Sequence, residues 1–423
     1  MTARRTIPIA LGLLLLCLVA AALGLWWSEH DDFQVPSTVD SFVAQPQKVA
    51  RGAYLARAGN CASCHTARGG RPYAGGVGIA TPFGTVFSSN LTPDNANGLG
   101  QWTAADFWRA LHHGRSRDGR LLYPAFPYTS YTLVSREDSD ALLAYLKSLP
   151  AVSRPNQAHT LDFPYSSQVA LAVWRALFFK PGTYMATPDK PPEWNRGAYL
   201  VQGLGHCAEC HAERNALGAT RAPLQVGGGV VPLQRWYAPS LAAVHEAGVG
   251  QGDAAQTMAL LKTGVADGRS AMGPMAEVVY RSTQYLNDAD LRAMVFYLKD
   301  LVPPAPAVSA ASVEPSAQFS DGEKIYSRHC AHCHGEQGEG APGAYAPLAG
   351  NRAVLLVSSS NLVQAVLNGG YPPSTAGNPR PYGMPPFRQT LDDAQVASVL
   401  TYIRQAWGNA AGPVSVRDVI QPR

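Results

Sequence analysis

The chain has 423 residues, 46% of them hydrophobic and 15% charged, with a formal charge of +4. That length exceeds one ordinary core and suits about three domains, and the composition excludes a disordered chain. The near-neutral charge and the lack of any Lys/Arg-rich run leave no argument for nucleic acid as a partner.

The N-terminus reads as an export signal. Arg4 and Arg5 precede an apolar run from Ile7 to Trp27, and Glu29, Asp31 and Asp32 come after it. The run is about long enough to span a bilayer, and the leading positive charge directs the downstream chain outward. Ala20-Ala21-Ala22 offers a small-residue cleavage pattern, but cutting there would leave Leu-Gly-Leu-Trp-Trp exposed, so the reading favours an uncleaved anchor over a removed signal. Cys17 makes a poor lipoprotein site, because Leu16 precedes it where a small residue is usual.

Beyond this segment the chain repeats itself. Arg51-Gly-Ala-Tyr-Leu stands ten residues before Cys61, Arg196-Gly-Ala-Tyr-Leu eleven before Cys207, and Gly322-Glu-Lys-Ile-Tyr leads to Cys330. Each reads as a short amphipathic helix. A second predicted helix closes each repeat, over 138–147, 290–299 and 392–404, with Tyr145, Tyr297 and Tyr402 at helical spacing. Trp102, Trp108, Trp236 and Trp407 read as core. Little β-type alternation is present, so the fold expected is mainly α with long loops. The boundaries expected are 1–30 for the signal or membrane helix, 45–150, 191–302 and 317–410 for the three domains, and 411–423 for a tail. Linkers are expected at 151–190 and 303–316. The first contains an apolar piece, 169–179, readable as a short helix or a docking surface. The second is rich in Pro and Ala and reads as semi-extended.

Six of the seven cysteines form three motifs: Cys61-Ala-Ser-Cys64-His65, Cys207-Ala-Glu-Cys210-His211 and Cys330-Ala-His-Cys333-His334. Two thiols one helical turn apart can reach the two vinyl groups of one haem and form thioethers. The next residue, histidine, then lies under the iron. CxxCH is the sequence signature of c-type haem attachment, and an axial His is a standard ligand. From the counts of Cys and His, one such motif arises by chance about 0.003 times in this chain. A zinc site needs two CxxC pairs, or one pair and two distant histidines, which an odd number of pairs does not suit. A thiol-redox CxxC expects a βαβ pattern nearby, and none is visible. The cofactors expected are therefore three covalent haem c groups.

Class I cytochromes draw the sixth iron ligand from a Met in a Pro/Gly-rich loop before the last helix. In the third repeat Met384 is that residue. In the second, Met275 is favoured over Met272, while Met258 and Met294 fall on helical stretches and read as core. The first repeat has none. Aligning Asp118-Gly-Arg120 with Asp267-Gly-Arg269 places Phe126 opposite Met275. Its haem is left with three alternatives: five-coordinate iron, ligation by His112 or His113, or a ligand from elsewhere. For His113 the plainer reading is a solvated imidazole at a helix C-terminus.

Several stretches together resemble the three-haem cytochrome c subunits of bacterial membrane-bound dehydrogenases. They include Thr81-Pro-Phe-Gly-Thr with Asn90-Leu-Thr-Pro-Asp94, Glu193-Trp-Asn-Arg-Gly-Ala-Tyr-Leu, Arg214-Asn-Ala-Leu-Gly, Gly273-Pro-Met-Ala-Glu-Val-Val-Tyr-Arg-Ser-Thr-Gln-Tyr, and the Pro372 to Pro386 stretch around Met384. The resemblance runs from about Arg51 to the end. It implies three tandem class I cytochrome c domains with no catalytic residues of their own. It implies a quinoprotein, flavoprotein or molybdenum dehydrogenase as catalytic partner, and electrons delivered to ubiquinone. It also supports Met275 and Met384 as ligands. Phe126 departs from the alcohol-dehydrogenase branch and looks more like cytochromes paired with molybdenum hydroxylases. The location expected is the periplasmic face of the bacterial inner membrane. Two rivals stand beside this reading: a free-standing carrier to a terminal oxidase or reductase, and a peroxidase at the first haem, for which His112, His113 and Arg115 are the only nearby suggestion.

Overall fold

The computed structural model describes residues 45–301 and 316–420, apart from 222, 244, 248, 250, 251 and 267. The N-terminal apolar run, Cys17 and nearly all of the Pro/Ala linker lie outside the described residues. Among those described, no helix is long and apolar enough to cross a membrane.

The chain is mainly helical. The first repeat holds α1 (Pro46–Ala58), α2 (Cys61–His65), the hairpin β1 (Gly78–Thr81) and β2 (Gly84–Phe87), α3 (Ala104–His113), α4 (Tyr128–Tyr131) and α5 (Arg136–Ser148). Next come β3 (Thr160–Leu161) and α6 (Gln168–Phe178). The second repeat contains α7 (Pro192–Tyr199), α8 (Ala208–His211), β4 (Gly229–Val230), β5 (Tyr237–Ala238), α9 (Ala254–Thr263), β6 (Val265–Ala266), β7 (Arg269–Ser270), α10 (Gly273–Arg281) and α11 (Asp288–Lys299). The third contains α12 (Ala317–His329), α13 (Ala331–His334), α14 (Arg352–Leu355), α15 (Ser360–Asn368), α16 (Asp393–Gln405) and α17 (Val416–Ile420).

Each repeat is built on one helix crossing, α1 on α5, α7 on α11 and α12 on α16. The closing helices start alike: Ser135, Asn287 and Asp392 each accept the backbone N–H of the third helical residue, which satisfies an otherwise orphaned donor. Glycine sets the closeness of the crossing. A Cβ added at Gly52, Gly197 or Gly322 would lie 1.9, 1.9 or 2.1 Å from the carbonyl oxygen of Ala141, Ala293 or Ser398. The tyrosine one turn further on, Tyr145, Tyr297 or Tyr402, packs over the same glycine.

The first two repeats share one core, which runs from Leu55 and Leu143 through Leu200 and Leu204 to Leu291 and Tyr297. Their contact is reciprocal. Arg51 pairs with Asp138 within the first repeat, and Arg196 with Asp290 within the second. The tyrosines cross over: Tyr54 donates to Asp290 and Tyr199 to Asp138, each at 2.6 Å. The backbone N–H groups of Ser135 and Asn287 donate to Tyr199 and Tyr54 in turn. The pair is thus related by an approximate two-fold axis, in the manner of an isologous dimer. The third repeat has Asp321 in place of the arginine and a core of its own around Val396 and Leu400. It meets the second through polar contacts, among them Asn361 with the backbone of Tyr237 and Thr375 with the carbonyl of Thr263.

The stretch after the first repeat is more than a tether. β3 adds to the β1–β2 hairpin, and the apolar piece forms α6 with Leu171 and Arg175 turned inward.

Candidate functional site

In all three motifs the second cysteine and the histidine lie on one short helix, α2, α8 or α13. The first cysteine opens α2 and immediately precedes α8 and α13. In the first two, the residue before the motif takes a left-handed backbone, Asn60 at φ 49° and His206 at φ 37°, and turns the chain sharply into it.

The three histidines are held in the same way. Nδ1 lies 2.7 Å from the carbonyl of Ser89 for His65, 2.7 Å from that of Pro239 for His211 and 2.9 Å from that of Ala346 for His334. A carbonyl can only accept, so Nδ1 carries the proton and Nε2 is left with a free lone pair. This second contact fixes ring and tautomer as a metal-ligating His requires. Burial holds all three histidines below their usual range, against the pull of those carbonyls. The thiols lean the other way from reactive cysteines. Burial pushes Cys61 and Cys207 up to about 12 and Cys330 up to about 11, so none is poised as a thiolate nucleophile.

The first motif opens into a cavity of about 1230 Å³ lined by Cys61, Cys64 and His65 together. Two thioether-forming thiols and an imidazole with Nε2 free, converging on one large and mostly apolar space, fit a covalently held haem. Phe126 lines the same space, and among the described residues no methionine does.

His112 and His113, considered above as ligands, do not line it. His112 stacks on Trp108, with ring centroids 4.4 Å apart. Nor is His113 a solvated, charged helix end. Burial, then the charges of His112, Arg175, Arg115 and Arg109, push it down to about 4, so it is neutral at pH 7.

Met384 is fixed by a two-way backbone bridge with Gly370 and packs on the third core. Met275 sits half-buried on the first turn of α10 rather than in a loop, because Pro274 starts the helix there. Met272 points elsewhere: its Cε lies 3.5 Å from where a Cβ on Gly370 would be, so it faces the third repeat. Met294 is buried core and Met258 packs against that core. Trp407 packs tilted on Tyr326 and edge-on against Tyr402, Trp236 lies under Gly273, and Trp102 lines the first cavity.

Two site residues escape a reading of the sequence. His206, from the second repeat, lines the first repeat's cavity and packs edge-on against Tyr131 at 5.5 Å, and Tyr131 in turn lies 5.4 Å from Phe126. Tyr131 donates to the carbonyl of Gly59, just ahead of Cys61. His159, from the inter-repeat stretch, also lines the cavity. Neither lies in a motif; position just before Cys207 was the one available signal for His206.

Comparison with known proteins accords with this geometry. The cytochrome c family model matches residues 49–150, 195–301 and 319–407. The chain is 38% identical over 393 residues to "Alcohol dehydrogenase (quinone), cytochrome c subunit" of Gluconacetobacter polyoxogenes, covering 89% of this chain and 84% of that one. It is 36% identical to "Gluconate 2-dehydrogenase cytochrome c subunit" of Pantoea cypripedii, covering 89% of both. It is also 34% identical over 411 residues to "Fructose dehydrogenase cytochrome subunit" of Gluconobacter japonicus, covering 90% of this chain and 83% of that one. Repeated CxxCH helices, tethered histidines and relatives matched over most of their length make this chain a member of the cytochrome c family, in the group of dehydrogenase cytochrome c subunits.

Proposed function

We propose that this chain is the electron-transfer subunit of a membrane-bound dehydrogenase at the periplasmic face of the inner membrane. In this reading each repeat is a class I cytochrome c domain. Cys61 and Cys64, Cys207 and Cys210, and Cys330 and Cys333 carry three haem c groups, with His65, His211 and His334 as proximal ligands. Haem so bound supplies reversible one-electron transfer between ferrous and ferric iron. The protein sets ligation, polarity and spacing. Met275 and Met384 are the sixth ligands of the second and third haems, and the first haem lacks a thioether ligand. Electrons enter from a catalytic partner and leave to ubiquinone.

The observation that carries this reading is the histidine tether, repeated three times at the same ring nitrogen. Relatives named as subunits of dehydrogenases supply the partner class. The test is to extract the protein from native membranes with mild detergent, measure haem per chain, and identify the partner and its cofactor. Three haems and a partner holding pyrroloquinoline quinone, flavin or molybdopterin are expected. Two haems or fewer would overturn the assignment of sites. A chain that comes away alone and exchanges electrons with an oxidase would make it a free-standing carrier.

A further inference from the structure

Each motif histidine is tethered by a peptide carbonyl, and the far end of that same peptide differs among the three repeats. The carbonyl of Ser89 shares its peptide with the N–H of Asn90, which donates to the side-chain oxygen of Asn156 at 2.8 Å. The carbonyl of Pro239 shares its peptide with the N–H of Ser240, which donates to Oε2 of Glu246 at 2.5 Å. The carbonyl of Ala346 is followed by Pro347, whose nitrogen carries no proton to donate. The peptide that holds His65 is thus backed by a neutral amide and the one that holds His211 by a carboxylate. Proline denies the third peptide any such backing.

The carboxylate is built into its place. Counted from the tether, Glu246 stands where the first repeat has Ala96. The turn between closes on itself: the Ala243 N–H donates to the Ser240 hydroxyl and the Ala247 N–H to the Ser240 carbonyl. The Glu246 side chain is 13% exposed, with His245 3.8 Å from Oε1. The Tyr237 hydroxyl donates to Oε2 at 2.9 Å. Burial and the nearby Glu246 charge hold that phenol above its usual range, so it stays a donor. The third repeat braces both flanks, Asn361 on the backbone of Tyr237 and Arg352 on the carbonyl of Ala247.

A hydrogen bond to an ionised acceptor is stronger than one to a neutral amide, and hydrogen bonds in series polarise one another. A carboxylate pulling on the Ser240 N–H therefore makes the Pro239 carbonyl a stronger acceptor for the proton on His211 Nδ1. A ligand histidine held more strongly in this way is more basic. Burial lowers His211, and both the Pro239 carbonyl and the Glu246 charge pull against it. At His65 and His334 the carbonyl alone pulls against burial.

We propose that Glu246 is a positioning residue for His211, acting through the Pro239–Ser240 peptide to make this imidazole the most electron-donating of the three. The inference rests on the electron-transfer reading above and deepens it. Greater donation to iron favours the ferric state, so the second haem takes a lower potential than the third, although both are assigned one His and one Met.

The test is a redox titration of the full-length holoprotein at pH 7, followed by haem absorbance. Glu246→Gln keeps an oxygen for the Ser240 N–H but removes the charge. It should raise one of the three midpoint potentials by about 59 mV, a tenfold change in the ferrous-to-ferric ratio, and leave the other two in place. Tyr237→Phe removes the donor that competes for the carboxylate and should lower that same midpoint. Loosening of the loop alone would move both variants in one direction. Shifts of the same sign, or no shift in either variant with haem bound, therefore overturn the proposal. Asn156→Asp, in a different loop, puts a carboxylate behind the peptide that holds His65 and should lower a different midpoint; three unmoved midpoints there would also overturn it. Peptides of the unaltered protein that contain Cys207 and Cys210 but carry no haem would instead sink the reading beneath.

Discussion

Tyr54 and Asp290 stand 236 residues apart in the chain and meet through a 2.6 Å hydrogen bond. Tyr199 and Asp138 make the same bond in the opposite direction. Each carboxylate therefore receives an arginine from its own repeat and a tyrosine from the other. The arginines and carboxylates of the two sets also feel one another, Arg196 being drawn by Asp138 and repelled by Arg51. The six side chains form one network, and the first two repeats should unfold as one body.

Tyr54→Phe and Tyr199→Phe each remove a hydrogen bond to a carboxylate. Each should cost about 1.5–3 kcal/mol in denaturant unfolding of the holoprotein. Because the network is shared, the double variant should depart from the sum by about 0.5 kcal/mol or more. Strict additivity would show two separate pairs instead.

Asp290 should make the protein acid-sensitive. Burial pushes its carboxyl up, but the hydrogen bonds from Arg196 and Tyr54 and the arginine's charge outweigh this and leave it below its ordinary value. A carboxylate lowered on folding adds stability above its unfolded pKa of about 3.9, and that stability is lost as pH falls through the lower folded value. Asp290→Asn should therefore be less stable at pH 7 and show a flatter pH profile below about pH 4. The loss should be about 2 kcal/mol, under the value for a fully buried pair, since the Arg196 side chain is 34% exposed. Unfolding midpoints between pH 2 and 7 decide the matter; parallel profiles for the two proteins would count against it.

The glycine crossings predict position-specific damage. Gly52→Ala or Gly197→Ala drives a methyl into a carbonyl oxygen and should cost about 2–3 kcal/mol across the joint core of the first two repeats. Gly322→Ala should weaken the third repeat, whose core is separate, and leave the signal of the other two unchanged. Loss of the joint core together with the third in Gly322→Ala would contradict independent cores.

The ligation proposed for the first haem can be read optically. On that proposal, carbon monoxide added to the reduced protein should bind the haem assigned to Cys61 and Cys64. Phe126→Met should block that binding and raise the same haem's potential, since Met with His ligation favours the reduced state. No carbon monoxide complex in the unaltered protein would mean that another residue ligates the iron.

The amino-acid sequence by itself determined the motifs on which the proposed attachment rests, because each motif is local: two thiols and an imidazole within five residues on one helical turn. It also carried the predominantly helical class and the closing helices, both set by short-range periodicity, while the apolar piece of α6 stayed open between a helix and a docking surface. The surroundings of each motif were decided only in three dimensions. The crossed tyrosines, His206 entering the first repeat's cavity and His159 walling it join residues tens to hundreds of positions apart, and no periodicity records such a meeting. The reverse failure has the same cause. His112 and His113 look like ligand candidates by their nearness in sequence, yet helix α3 carries them outside the lining of the cavity, against Trp108 and among cations.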